Sequence, residues 1–177
     1  MYFKKLIGKN CYLSPIDLND AEKFTEWLND LELIENLSEY HSIFNVETEK
    51  AFLETISKTH NYSIIDITND TVIGVCGFLD IDNVQQTAEV GIFIGEKKYW
   101  GKGYGTEALS LLIDYGFKAI NLHNIFLRVY SYNERAIKSY EKIGFKIIGK
   151  RREARFLKME RFDIVFMDLL PGDFYKK

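Results

Sequence analysis

AEVGIFIGEKKYWGKGYGTEALSLLIDYGFKAI, running from Ala88 to Ile120, changes character three times. The apolar run Ala88 to Ile94 predicts a buried strand, Gly95 to Tyr99 a short charged turn, Trp100 to Gly105 a glycine-rich loop, and the apolar spacing from Thr106 a helix. A strand that feeds such a loop into a helix N-terminus presents free backbone N–H groups at the positive end of a helix dipole. That is an anion site, and the usual anion is a phosphate.

Two common phosphate motifs do not fit. A Walker-type loop needs GxxxxGK followed by Ser or Thr, but Gly95 stands one residue too far from Gly101, and Lys102 is followed by Gly103. A dinucleotide fingerprint needs a third glycine where this chain has Thr106, at the head of a series of βαβ units. Glycine at alternate positions, Gly101, Gly103 and Gly105, instead lets the backbone curl so that successive amides meet one pyrophosphate, with no metal required.

Outward from this stretch, Asn10 to Ser14 reads as a first strand ended by Pro15. Asp17 or Asn19 caps a helix with its apolar stripe at Ala21, Phe24, Trp27, Leu28 and Leu31. Asn45 opens another, with Phe52, Leu53 and Ile56 as the stripe. Tyr62 to Ile67 and Val72 to Leu79 flank an Asn69-Asp70 turn and predict an antiparallel hairpin, with Gly74 and Gly77 assigned to packing. The helix after the loop turns Ala108, Leu109, Leu112, Ile113, Phe117 and Ile120 inward, and Ile125 to Tyr130 is a strand. Phe145 to Gly149 and Phe162 to Leu170 read as the last two strands, joined by a basic segment that lacks an Asn-Gly turn.

The chain has 177 residues, 46% hydrophobic and 28% charged, which suits one folded domain over residues 1–177. A formal net charge of -3 supplies no bulk field for nucleic acid, so a cationic or neutral partner is expected. Cys11 and Cys76 have no metal-ligand spacing, and Cys76 reads as a core thiol; no metal is expected. MYFKKLIGKN has no apolar leader core and no run is long enough to span a membrane, so a cytoplasmic location is expected.

A second motif lies in NERAIKSYEKIGF, Asn133 to Phe145. Asn133 is a helix N-cap and Gly144 a C-terminal stop, while Ala136 and Tyr140, four apart, share one face. WGKGYGTEA, together with Asn133, Ala136, Tyr140, Gly144 and Phe145, resembles the two motifs of the GNAT acetyltransferase superfamily. Trp100, where many relatives have Gln or Arg, resembles the branch of the ribosomal-protein N-terminal acetyltransferases and the spermidine N-acetyltransferases. The order of elements is similar along nearly the whole chain.

That resemblance implies an α+β fold, a mixed central sheet flanked by helices, and acetyl-CoA as donor with CoA as product. Trp100, Gly101, Lys102, Gly103, Tyr104, Gly105 and Thr106 would then meet the pyrophosphate. The main chain of Ile92, Phe93 and Ile94, together with Asn133, Ala136 and Tyr140, would meet the pantetheine and thioester. Thr106 is placed either to cap its helix or to bind a phosphate oxygen.

Amide formation from a thioester needs a neutral amine, a polarised carbonyl and a proton for the departing thiolate. An amine with a pKa near 10 is about one part in a thousand neutral at pH 7, which adds roughly 4 kcal/mol to the barrier. A carboxylate is the economical base, and the resemblance assigns it to Glu89; Tyr140 is the corresponding acid. Strand backbone N–H groups suffice to polarise the carbonyl.

The acceptor is less sharply written. Glu32, Glu35 and Glu39, with Tyr40 and His41, form an acidic stretch suited to a polycation such as spermidine, with Glu35 and Glu39 one helical turn apart and serving, together with Tyr40, as its contacts. Arg151, Arg152, Arg155, Lys158 and Arg161 suit an acidic or peptide acceptor, a protein N-terminus among them, or an interface between copies in a homodimer or larger assembly. Relatives in the protein N-terminal branch often read Leu-Arg-Pro where this chain has Leu13-Ser14-Pro15, which bears on the acceptor and leaves the donor untouched. Aminoglycosides, other small amines, and a CoA-binding regulatory module without turnover are the alternatives.

Overall fold

The computed structural model describes residues 1–176. Its strands are β1 (Leu6–Ile7), β2 (Cys11–Pro15), β3 (Asn61–Asp66), β4 (Thr71–Asp82), β5 (Thr87–Ile94), β6 (Asn124–Tyr130), β7 (Lys146–Leu157) and β8 (Glu160–Leu169). The helices are α1 (Ala21–Leu28), α2 (Leu31–Ile34), α3 (Val46–Ile56), α4 (Tyr104–Lys118), α5 (Glu134–Ile143) and α6 (Pro171–Phe174). The strands follow the sheet order β1-β2-β3-β4-β5-β6-β8-β7, a mixed α+β sheet as expected. No helix among the described residues is long and apolar enough to cross a membrane.

The chain forms two compact units, Met1–Phe78 with Gly91–Leu112, and Leu79–Val90 with Ile113–Lys177. It passes between them inside β4, β5 and α4.

In the first unit β2 pairs antiparallel with β1 and β3, and β3 with the first part of β4. Tyr12, Ala21, Phe24, Trp27, Leu33, Ile34, Leu53, Ile65 and Val72 make its core. A 3₁₀ turn at Leu18–Asp20, capped by Asp17, leads into α1, which buries Ala21, Phe24 and Trp27. Leu31 does not belong to this stripe: it starts α2, capped by Asp30, and is exposed. α3 opens on a capping box between Asn45 and Thr48 and buries Leu53, while Phe52 is exposed. The inward place expected for Phe52 goes to Glu49, one turn before Leu53. Gly74 and Gly77 are packing glycines, since a side chain at either would overlap the Phe93 carbonyl or Asn61.

In the second unit β5 pairs parallel with β6 through Thr87–Glu89, β6 antiparallel with β8, and β8 with β7. The last two strands are longer than their apolar runs suggest, and the basic segment spans the end of β7, the turn and the start of β8. Their turn is Lys158-Met159, with φ of 48° and 66°, the pair of positive angles that a two-residue hairpin of this hand needs. α5 has the ends its sequence predicts: Asn133 accepts from the Ala136 N–H, and Gly144 at φ 118° returns its N–H to Tyr140 and Glu141.

Candidate active site

In the first unit, β5 ends at Ile92, Phe93 and Ile94, all partly buried. A 3₁₀ turn, Lys97–Tyr99, follows, and the Trp100 indole N–H donates to the Ile94 carbonyl at 2.9 Å, tying the loop entrance to the strand end. Trp100 is thus a loop anchor. Gly101, Lys102 and Gly103 are exposed. Gly101 has φ 71° and Gly103 φ 89°, angles that cost a side chain about 1 kcal/mol or more.

Helix α4 begins at Tyr104, two residues before its apolar spacing suggests, because the Gly103 carbonyl already accepts the Glu107 N–H at 2.9 Å. Gly103 therefore stands at the N-cap and Thr106 in the first turn, so the capping role expected of Thr106 falls away. The three glycines are not equivalent either. Gly105 is helical, and a methyl there would sit at ordinary contact distances, 3.6 Å from Ile92 and 3.8 Å from Ile94. At Gly101 and Gly103 an added Cβ meets nothing within 4 Å. The loop is open above its backbone and runs into the first-turn N–H groups of α4, which fits a phosphate-bearing ligand.

In the second unit, Tyr140 lies on α5, partly buried, with its ring edge-on to Phe145 at 6.0 Å. Its hydroxyl has no hydrogen-bond acceptor among the described residues, and desolvation pushes its pKa up to about 12. A structural tyrosine at this position would bond the backbone; this one keeps its proton and its donor capacity. Ala136 is on the same helix, one turn before it.

Glu89 is buried, and both its oxygens accept from Arg128, at 2.7 Å from Nε and 2.9 Å from the second nitrogen. The pair opens at one end, with the Arg128 side chain 53% exposed and that of Glu89 10%. Its hydrogen bonds to Glu89 raise the Arg128 pKa further. Arg128 was not singled out in the sequence, although the pattern contains it. Glu89 is in register with Phe126 across the parallel ladder, and strand alternation puts Phe126 and Arg128 on one face.

The basic residues of β7 and β8 do not act alike. Arg151, Arg152 and Arg161 are exposed, while Arg155 is buried with its guanidinium 4.5 Å from the centre of the Tyr130 ring.

The acidic stretch in the first unit is not one helical face. α2 ends at Ile34, so Glu35 is its C-cap and Glu39 lies in an irregular turn, not one helical turn further on. Glu39 is exposed and accepts from Ser38 Oγ at 2.7 Å. Tyr40 packs on the core with its ring edge-on to His41 at 5.1 Å. Glu32 accepts from Lys97 at 2.6 Å. Both cysteines are buried, and burial pushes both thiols up, as expected of core residues.

Comparison with known proteins gives the family. Residues 10–146 match the family described as the acetyltransferase (GNAT) domain. The chain is similar to the uncharacterized N-acetyltransferase p20 of Bacillus licheniformis, 30% identical over 167 residues, 92% of this chain and 93% of that protein. It is also similar to the spermidine N(1)-acetyltransferase of Escherichia coli K12, 38% identical over 84 residues, 48% of this chain and 45% of that protein. Among solved structures, spermidine N-acetyltransferase from Vibrio cholerae, crystallised with CoA and spermine, superposes with a TM-score of 0.84 at 22% identity over 94% of this chain and 99% of that one.

Proposed function

The chain belongs to the GNAT acetyltransferase family, and from that premise we propose that it moves an acetyl group from acetyl-CoA to a primary amine by direct attack in a ternary complex. Bound acetyl-CoA supplies an activated thioester, so the protein has to hold it, free the amine of its proton and stabilise the leaving sulfur.

Gly101 to Thr106 hold the pyrophosphate with main-chain N–H groups, and Lys102 stands beside it as an exposed positive charge. The main chain of Ile92, Phe93 and Ile94 meets the pantetheine and offers an N–H to the carbonyl oxygen. Asn133 and Ala136 order the start of α5, and with it Tyr140.

The observation that carries the reading is Tyr140, a desolvated hydroxyl with no acceptor of its own. A thiol titrates near 8.5. Full proton transfer from a hydroxyl at about 12 would therefore run uphill by roughly 5 kcal/mol. Tyr140 accordingly stabilises the thiolate by hydrogen bonding as charge develops, and water completes the protonation. Glu89, oriented by Arg128, takes the amine proton through a water molecule. Two charge-assisted hydrogen bonds from Arg128 hold the carboxylate in place and the amine proton reaches it only through water, so its removal costs less than that of Tyr140.

For the acceptor we assign a polyamine such as spermidine first, with Glu35, Glu39 and Tyr40 as contacts, supported by the acidic stretch and by the activity named for two of the relatives. A protein N-terminus is the second reading, favoured by the exposed Arg151, Arg152 and Arg161. Incubation with acetyl-CoA and either spermidine or a peptide with a free N-terminus, followed by mass spectrometry, tests both. Acetylated spermidine supports the first reading and acetylated peptide the second. CoA binding with no acetylated product from any amine would leave a binding module instead of an enzyme.

A further inference from the structure

The middle of the glycine loop has no support of its own, since both Gly101 and Gly103 stand open; the support lies at its two ends. On the entry side Tyr99 is buried, and its hydroxyl donates to Asp66 Oδ2 at 2.7 Å. Asp66 is itself 3% exposed, and its other oxygen accepts from the Thr68 N–H at 3.0 Å and the Thr68 hydroxyl at 2.8 Å. Tyr99 is thereby fastened to the β3–β4 turn. On the exit side, in the first turn of α4, Glu107 accepts from the backbone N–H of Lys9, from the Asn10 N–H at 2.9 Å and from Asn10 Nδ2 at 2.6 Å. It closes so tightly on the β1–β2 turn that a side chain at Gly8 would overlap it. Tyr104 joins the two ends, its ring edge-on to Tyr99 at 4.8 Å.

These bonds exceed what folding of α4 asks for. A helix this long forms without a carboxylate in its first turn reaching a hairpin 97 residues away in sequence. A short loop with two residues at positive φ, by contrast, samples many conformations unless its ends are pinned. A ligand that has to order it loses affinity.

We infer that Tyr99 and Glu107 are positioning residues for the donor: they clamp both ends of Gly101–Gly103 to the β3–β4 and β1–β2 turns, so that the pyrophosphate meets a loop already in its binding conformation. The inference rests on the proposal that this loop receives the CoA pyrophosphate. Neither side chain takes part in proton transfer. Both act through the loop.

The test compares CoA, by calorimetry, with pantetheine, which lacks the pyrophosphate, by NMR titration, in the full chain and in Glu107→Gln and Tyr99→Phe. In Glu107→Gln the negative charge that draws the Lys9 and Asn10 N–H groups is lost together with one acceptor oxygen, which weakens that side of the clamp. Each variant is expected to weaken CoA roughly tenfold and leave pantetheine unchanged. Equal CoA affinity in all three proteins would overturn the inference, as would equal losses for CoA and pantetheine, the signature of a general structural defect. Absence of CoA binding in the unmodified chain would instead remove the donor-site reading, and the inference with it. Should Glu107→Gln fail to fold, Tyr99→Phe, which deletes one hydroxyl, decides the matter.

Discussion

The Trp100–Thr106 loop and the Leu31–Phe44 stretch are both short, and both carry residues assigned to a substrate, yet they are held in opposite ways. The loop is open in the middle and fastened at its ends, with Trp100 bonded to the Ile94 carbonyl and Gly103 capping α4. The acidic stretch is instead held along its length by apolar side chains, with Leu33 and Ile34 buried and Leu37, Tyr40 and Phe44 packed on the core, while Glu39 stands in solvent in an irregular turn. A donor common to many enzymes suits a fixed backbone cradle. An acceptor chosen by charge suits side chains on an adaptable segment.

The largest effect is expected on the donor side. Tyr140→Phe removes the hydroxyl proposed to stabilise the leaving thiolate, and kcat should fall by roughly 100-fold or more with little change in either KM. Because the hydroxyl titrates near 12, the unmodified enzyme should show no loss of activity from its ionisation up to about pH 10. An unchanged kcat in the variant would return Tyr140 to a packing role.

Next in size is a stability effect on α3, the helix that follows the acceptor stretch in the chain. Glu49 is 3% exposed, its Oε1 has no hydrogen-bond partner among the described residues, and burial pushes its pKa up to about 7. A carboxyl whose folded pKa lies above its unfolded value binds its proton more tightly when folded. Its contribution is full below the unfolded value near 4.5 and is lost as pH rises through about 7, by about 3 kcal/mol. Glu49→Gln should therefore be more stable than the unmodified protein at pH 8 and lose that advantage by pH 5, as read from urea midpoints. Parallel pH curves for the two proteins would show that Glu49 is not buried in its charged form.

A smaller change is expected at Gly103→Ala. Its φ of 89° strains any side chain, so KM for acetyl-CoA should rise about tenfold while kcat at saturation holds. Gly105→Ala is the control: the site has room for a methyl and the residue is helical, so a change below about twofold is expected. Equal effects at the two positions would mean that the loop does not depend on its positive angles. Smallest of all, Glu39→Gln should raise KM for spermidine by no more than about threefold, since an exposed carboxylate contributes little by itself. A tenfold rise would show the acidic stretch to be as fixed as the loop.

What was legible in the sequence divides along the same line. Features written by neighbouring residues read correctly: the Asn133 and Gly144 ends of α5 and the Asn45 cap of α3, while the curl expected of three alternate glycines holds for Gly101 and Gly103 and not for the helical Gly105. Features that depend on a distant partner did not. Nothing near Glu107 announces Asn10, nothing near Glu89 announces Arg128, and apolar spacing in α3 favoured Phe52 where the structure buries Glu49. The start of α4 was missed because a glycine N-cap looks like loop. The Lys158-Met159 turn was missed because neither residue has the usual preference for positive φ. Strand β1 is two residues long and carries no period.

The most direct test of the account is thiol release from acetyl-CoA by the unmodified protein and by Tyr140→Phe, across spermidine, aminoglycosides, amino acids and peptides with free N-termini. The account predicts a clear rate with one class of primary amine, spermidine first, and a roughly 100-fold lower kcat in the variant with the same amine. Equal rates in the two proteins, or release with no amine class while CoA still raises the melting temperature, would contradict it.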